Sequence, residues 1–441
     1  MPLDSITQIL AGFLGDKEFQ KLRLVNKACK EAANYVPIQS LVMKWTSALP
    51  TASLEHLSKL TFQEPHPPLE HMSPRLARIA EIQRLRELSV PTIHLQAVLE
   101  SLPESSLESL EKITLVHPSA VTEFKLPDIM SRLTRLDKLV LGSPLYGFRV
   151  DLEVLPKIPR LRRLKLQYVT PSDLKVFQHT RLERVQILRA GIPLLNAILA
   201  IPTLQKLFLH NVGYRGNPSG QEVVVPPTLT LNSIRISHPS LKLEQFLRDV
   251  ARASPDLETL RLDSIPYGDH VTNFSQFKKL KLLDLGNNSW IRTEPFAEII
   301  KTLPPTLESL YLHGSSIEYL TPLWDGSSVL PKLQNLGLNG VSYRWYSLST
   351  TLSGFATDGV PLEQIGLTNQ NIDLTSLDTL FEKLSDIPTL TRIFFYTDGG
   401  YMSSPLRTSD VRAAFQKHFR NRSVVLHSSH TFAPPYKLIK V

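Results

Sequence analysis

A six-residue pattern of apolar positions recurs along most of the chain. Each copy has an aliphatic or aromatic residue at positions 1, 4 and 6, and thirteen copies lie between Leu85 and Phe395. They open at residues 85, 110, 136, 161, 182, 204, 231, 257, 280, 307, 333, 362 and 390. Because positions 4 and 6 are two residues apart, they point to one face of an extended segment, while positions 3, 5 and 7 point to the other. The pattern therefore predicts a short strand with one buried face in every copy.

Between the strands the apolar spacing changes to three and four residues, which is typical of a helix with one apolar stripe. The clearest stripe runs from Leu243 to Ala251, and others begin at Leu95, Phe296 and Leu377. Six prolines stand two residues before a position-1 leucine, where they predict the end of the preceding helix. They are Pro159, Pro202, Pro255, Pro305, Pro331 and Pro388. Each repeat is thus expected to be a strand and a helix that bury their stripes by stacking on neighbouring repeats.

The pattern and its spacing of 21 to 29 residues resemble the leucine-rich-repeat family. The resemblance implies an α/β solenoid, a horseshoe of about 13 strand–helix units over residues 85–396. Residues 37–84 are interpreted as a linker and an imperfect first repeat. Residues 397–441 are interpreted as a capping unit and tail, with a helix from Arg407 to Phe419 and a strand over 424–426.

Residues 1–36 carry a different pattern, which predicts three short helices. The order of aliphatic residues, followed by LRLVNKACKEAA from Leu22 to Ala33, resembles an F-box, although Met1 and Cys29 depart from the family pattern. The resemblance implies docking on a Skp-family adaptor, and through it on a cullin-RING (SCF-type) ubiquitin ligase. The residues implied in that contact are Pro2, Ile6, Ile9, Leu10, Leu14, Leu22 and Val25. The alternative is a leucine-rich-repeat scaffold without a ubiquitin role, whose N-terminal helices only cap the repeats.

The composition and the N-terminal sequence indicate in which cellular compartment the protein is found. The net charge is +8, and Cys29 is the single cysteine, so no intramolecular disulfide can form and a reducing compartment is favoured. The N-terminus has no basic region typical of a signal peptide, and no apolar run is long enough to span a membrane. We therefore expect a cytoplasmic or nuclear protein, or one found in both.

Catalytic and metal-binding motifs are absent from the sequence. It contains no GxSxG, glycine-rich phosphate loop or HExxH pattern, so it predicts neither an enzyme nor a bound cofactor. His56, His66 and His71 lie among prolines without the tight spacing of metal ligands, which argues against a metal site there.

The candidate binding surface is the open face, defined as the sheet face on which positions 3, 5 and 7 lie. It would form the concave side of the horseshoe. Its basic residues are Lys112, Lys138, Arg163, Lys165, Arg184, Lys206, Arg235, Arg261 and Arg392, and its acidic ones are Glu87, Asp263 and Asp284. This column of cations predicts a target protein with an acidic or phosphorylated segment. The alternative is local neutralisation by acidic residues at position 2, and the lack of interleaved aromatics disfavours nucleic acid.

Two further features suggest partner contacts. Tyr311, His313, Phe394 and Tyr396 fall on the open face, where exposed aromatic residues would anchor a partner. Residues 213–227 and 341–361 form long inserts, which are either partner-binding loops or plain insertions.

Overall fold

The structure is a computed structural model. It describes residues 40–44, 54, 57–63, 73–116, 123–142, 147–213, 222–265, 273–286, 299, 301–313, 330–339, 352–369, 374–397, 408–420 and 422–429. The chain divides into two compact units, Met1–Leu204 and Gln205–Val441.

Unit 1 is built on parallel strands. They are β1 (Ser40–Lys44), β2 (Lys59–Gln63), β3 (Glu87–Pro91), β4 (Lys112–Val116), β5 (Glu123–Lys125), β6 (Lys138–Gly142), β7 (Phe148–Asp151), β8 (Arg163–Gln167), β9 (Val169–Pro171) and β10 (Arg184–Ala190). One ladder has the order β1-β2-β3-β4-β6-β8-β10, and a second, smaller one has the order β5-β7-β9. The α-helices are α1 (Ser73–Ile79), α2 (Leu95–Ser101), α3 (Glu104–Ser109) and α4 (Ile192–Leu199). The 3-10 helices are Thr92–His94, Asp128–Arg132, Leu155–Lys157 and Lys175–His179.

Unit 2 continues the same construction. Its strands pair in parallel and in chain order. They are β11 (Lys206–Val212), β12 (Ser233–Ser237), β13 (Thr259–Asp263), β14 (Leu282–Leu285), β15 (Ser309–His313), β16 (Asn335–Asn339), β17 (Gln364–Asn369), β18 (Arg392–Thr397) and β19 (Val425–Ser429). The helices with fully described bounds are α5 (Leu243–Ala253), α6 (Leu374–Ser385) and α7 (Thr408–Phe419).

The strand prediction is confirmed in all thirteen copies of the hexamer, since a strand begins at position 3 of each. The register keeps equivalent positions opposite one another. Position 4 forms a row of buried aliphatic side chains in each unit, for example Leu139, Leu164 and Val185 in unit 1. Fully burying such a side chain contributes about 1.5–3 kcal/mol. This repeated burial defines a leucine-rich-repeat solenoid.

The expectation of one helix per repeat is wrong for the repeats that open at residues 110, 136 and 161. There the chain forms a strand of the small ladder and then a 3-10 helix. The physical reason is visible in β7 and the residue after it, where Phe148, Val150 and Leu152 are buried and alternate at period two. A period of two buries one face of a strand, whereas a helix would scatter these residues around its axis.

The first repeat region also differs from expectation. Residues 37–84 were expected to hold one imperfect repeat, yet β1 and β2 both pair in the main ladder of unit 1. Leu41 in β1 and Leu60 and Phe62 in β2 supply the buried face. The helix and the strand predicted near the C-terminus are confirmed as α7 and β19, whereas the interpretation of residues 397–441 as a capping unit and tail stays a prediction.

The six prolines have a more local role than ending a helix. In each case the position-1 leucine N–H donates to the carbonyl three residues earlier, as from Leu161 to Ile158 and from Leu390 to Ile387, both at 3.4 Å. Proline therefore occupies the second position of a β-turn, where its fixed φ is favourable.

Hydroxyl groups join consecutive repeats in a way that the sequence reading missed. Ser109, Thr203, Thr306 and Thr389 each directly precede a position-1 leucine, and each donates to the carbonyl of the position-1 leucine one repeat earlier. The four distances are 2.8–3.0 Å. A serine or threonine just before the hexamer is the signal that could have revealed this contact.

Candidate anion-binding face

Four cations lie side by side on the open face of unit 1. The register places Lys112 opposite Lys138, Lys138 opposite Arg163, and Arg163 opposite Arg184. Because neighbouring strands are about 4.8 Å apart, these position-3 side chains form a continuous row. We call Lys112, Lys138, Arg163 and Arg184 the cation row.

No acidic residue shares the open face of these four strands. Positions 3, 5 and 7 of β4, β6, β8 and β10 hold the cation row, Lys165 and neutral residues only. Lys165 lies at position 5, between Val140 and Gln186. Within the described residues, Lys138, Lys165 and Arg184 make no ion pair. These three side chains therefore carry positive charge that their own strands do not compensate.

Lys138 is surrounded by the other four cations, and its pKa shows their effect. Partial burial lowers the pKa of its ammonium group below the usual value, and Lys112, Arg163, Arg184 and Lys165 lower that pKa further by repulsion. A lysine in this position is destabilised in its charged form, and an anion beside it would relieve both the repulsion and the lost hydration.

Acidic residues do reach two members of the row, Lys112 at one end and Arg163 in the interior. Lys112 Nζ lies 2.9 Å from a carboxylate oxygen of Glu87, which also lies 3.6 Å from Lys59 Nζ. The hydrogen bond from Lys112 is the main cause that lowers the pKa of the Glu87 carboxyl. Arg163 donates to Asp137, a position-2 residue. Local neutralisation thus operates at Lys112 and Arg163, whereas it does not reach Lys138, Lys165 or Arg184 among the described side chains.

A depression of about 90 Å³ opens where these uncompensated side chains meet. We call it the Lys138 depression, and its lining residues are Lys138, Arg163, Leu164, Lys165, Arg184 and Gln186. Since a single water needs only about 10–15 Å³ of such volume, the depression has room for a group of several heavy atoms.

The cations of unit 2 stand in a different environment. Arg235 lies 3.3 Å from Asp263 and stacks over the ring of Phe208, with its guanidinium carbon 5.0 Å from the ring centre. Arg261 is opposite Asp284 in the neighbouring strand. The predicted column therefore does not continue as uncompensated charge through Arg235 and Arg261, because two acidic residues on the same face stand beside them. Lys206 in β11 and Arg392 in β18 are exposed and are opposite Ser233 and Gln364.

Asp284 is a buried acidic residue, with only 6% of its surface exposed. Burial raises its pKa to about 6, against the opposing effect of Arg261 and Arg235, and Asp263 adds to the rise. The two arginines therefore compensate this carboxylate only in part.

The prediction that Tyr311 and Phe394 are exposed is wrong, since they are 2% and 4% exposed. Both lie in the position-5 row, with Gly337 and Gly366 between them. A Cβ atom on Gly337 would lie 2.4 Å from Tyr311 Cδ1, so the tyrosine ring occupies the space that the missing side chain leaves. His313 and Tyr396 are in β15 and β18, but their side chains lie outside the described part of the chain.

Sequence reasoning missed two residues of the candidate face. Lys59 escaped notice because its repeat lacks a regular hexamer, although Leu60 and Phe62 show the alternation of a strand. Gln186 was missed because a neutral side chain adds nothing to a pattern of charges, although it lines the Lys138 depression.

Several predicted contacts fall outside the described residues. They include the whole F-box-like segment with Pro2, Ile6, Ile9, Leu10, Leu14, Leu22 and Val25. They also include residues 214–221 and 340–351 of the two long inserts, while residues 352–357 are helical.

Comparison with known proteins identifies no family for this chain. No protein-family model and no curated protein matches it. Among solved structures it is paired with an internalin (inlF) from Listeria monocytogenes at 15% sequence identity, with a TM-score of 0.34. The pairing covers 76% of this chain and 88% of that chain. A likeness at this level carries no weight of its own, so the leucine-rich-repeat architecture rests on the hexamers, the parallel ladders and their registers.

Helices that could cross a lipid bilayer were sought in the described part of the chain. None there combines the required length and apolar character.

Proposed function

We propose that the protein is a leucine-rich-repeat binding scaffold whose unit 1 takes an acidic segment of a partner protein. The observation that carries the proposal is the open face of β4, β6, β8 and β10, which has five cations and no acidic residue. An extended segment laid across these strands would meet a new cation about every 4.8 Å. Paired contacts between arginine or lysine and carboxylates suit such a segment.

Oligoglutamate is a suitable first probe because it supplies carboxylates without other chemistry. The test is fluorescence anisotropy of a labelled oligoglutamate peptide with the full-length chain. Lys138→Gln with Arg184→Gln removes two uncompensated cations and should weaken binding about tenfold, since exposed ion pairs contribute about 0.2–1 kcal/mol each. Added salt should weaken binding as well.

The matched control removes the same charge from the same repeat position elsewhere. Lys206→Gln with Arg392→Gln changes two exposed position-3 cations of unit 2, and its affinity for oligoglutamate should stay close to that of the unmodified protein. Equal losses in both double variants would mean that only net charge matters, and the proposed role of unit 1 would then be rejected.

We further propose that the scaffold is the substrate-recognition subunit of an SCF-type ubiquitin ligase. The support is the F-box resemblance of residues 1–36, and the proposed partner is a Skp-family adaptor. A cytoplasmic or nuclear location is part of this proposal. The protein itself would supply proximity between a bound target and the ubiquitin-transfer machinery.

The adaptor contact is tested by a pull-down of purified Skp-family adaptor with the full-length protein. Ile9→Asp with Leu10→Asp should abolish binding while the circular dichroism spectrum of the repeats is unchanged. If the unmodified protein does not bind the adaptor, residues 1–36 act only as a cap and the scaffold has no ubiquitin role.

A further inference from the structure

The Lys138 depression has features that the binding of carboxylates alone does not require. Its cations come from three neighbouring strands and from two rows, since Lys165 is two residues beyond Arg163 on the same strand. Adjacent attachment points are about 5–7 Å apart and those of Lys138 and Arg184 about 10 Å, which is within the combined reach of lysine and arginine side chains. The cations can therefore converge on one small group.

The amount of charge also favours a multiply charged group. Lys138 is surrounded by Lys112, Arg163, Arg184 and Lys165, and Asp137 is bonded to Arg163 at the strand ends. A carboxylate brings one negative charge and two oxygens. A phosphoryl group brings a charge of about −1.5 to −2 and three acceptor oxygens, which suits ammonium and guanidinium donors arriving from different directions.

The shape agrees with this chemistry. The depression is open to solvent, and its volume of about 90 Å³ leaves room for a group of several heavy atoms. The Gln186 amide offers a neutral donor beside the cations. A phosphoryl group on a side chain could enter while the rest of its segment crosses the cation row.

We propose that the Lys138 depression is a phosphoryl-binding subsite, which takes a phosphorylated serine or threonine within the acidic segment. The proposal rests on the proposed function of unit 1 and adds a specific position to it. The cation row holds the carboxylates of the segment, and Lys165, which lies outside the row, selects for the phosphoryl group.

Two labelled peptides test the subsite in the full-length protein. One is oligoglutamate with a central phosphoserine, and the other has glutamate at that position. The phosphoserine peptide should bind about tenfold more tightly. Lys165→Gln should abolish this preference, because it weakens the binding of the phosphoserine peptide more than the binding of the all-glutamate peptide. Lys332→Gln, which removes an exposed lysine of unit 2 that lies off the open face, should leave the preference intact.

The outcomes separate the subsite from the wider function. Equal binding of both peptides to the unmodified protein, or a preference that survives Lys165→Gln, would overturn the subsite and leave the acidic-segment function standing. Failure of both peptides to bind would overturn both proposals. Tight binding of inorganic tripolyphosphate together with equal peptide affinities would assign the depression to a free polyanion and overturn the phosphoprotein assignment.

Discussion

Replacement of Asp284 by asparagine should make the protein more stable at neutral pH. Asp284 is nearly inaccessible to solvent, and burial raises its pKa from 3.8 to about 6. A raised carboxyl pKa means that the folded state holds the proton more tightly than the unfolded state does. Ionisation of Asp284 therefore lowers the free energy of unfolding. This loss of stability is absent well below pH 3.8, grows between the two pKa values and is complete above about pH 6.

The magnitude follows from the size of that shift. At about 1.36 kcal/mol for each pKa unit, the shift from 3.8 to about 6 corresponds to about 3 kcal/mol at about pH 8. At about pH 4.5 the same relation leaves about 1 kcal/mol. The asparagine side chain cannot ionise, so Asp284→Asn should gain about these amounts over the unmodified protein.

Urea unfolding followed by circular dichroism measures both values, with unchanged m-values as the check that the unfolding transition is comparable. The difference between variant and unmodified protein cancels the titration of all other groups. Asp256→Asn is the control, since Asp256 is an exposed carboxylate 2.5 Å from Lys279. A stability difference for Asp284→Asn that is the same at both pH values would refute the reasoning.

Two further substitutions test the packing and the hydrogen bonds of the repeats. Gly337→Ala should cost about 1–3 kcal/mol in the free energy of unfolding, because the new Cβ would lie 2.4 Å from Tyr311 Cδ1; Gly142→Ala, which meets only the flexible Gln167 amide at 3.3 Å, is the control and should cost less. Ser254→Ala should cost about 1–3 kcal/mol, because the buried hydroxyl accepts from Leu231 N–H and donates to the Leu229 carbonyl, both at 3.0 Å. Urea unfolding measures both, and a cost near zero in either would contradict the contact concerned.

The strands could be predicted from the sequence because their physical cause is local. The apolar side chains at positions 1, 4 and 6 of LDKLVL from Leu136 are buried when the segment forms a strand and stacks on the equivalent strands of neighbouring repeats. The same argument places Lys138 on the open face and opposite Arg163. The cation row was therefore accessible to sequence reasoning as soon as the repeats were aligned.

The environment of each cation could not be predicted in the same way. Arg235 at position 5 and Asp263 at position 7 of the next repeat form a diagonal pair, which depends on side-chain reach as well as register. The burial of Tyr311 depends on Gly337, because only a missing Cβ one strand away makes room for its ring. Both contacts are between side chains of different repeats. The apolar pattern within one repeat therefore does not predict them.

The different electrostatics of the two units follows from these side-chain pairings. In unit 1 the acidic residues lie off the open face of β4, β6, β8 and β10 and bond to two members of the cation row, Glu87 to Lys112 and Asp137 to Arg163. In unit 2 Asp263 and Asp284 lie on the open face itself, beside the arginines. Similar basic positions in the two units therefore do not produce similar binding surfaces.

Lysine labelling with an amine-reactive reagent, followed by mass spectrometry, tests most directly whether unit 1 binds the acidic segment. The full-length protein is labelled with and without excess oligoglutamate. Lys138 and Lys165 should lose most of their reactivity when the peptide is bound, while Lys206 in unit 2 should react as before. Protection of Lys206 without protection of Lys138 and Lys165, or equal protection of all three, would contradict the account.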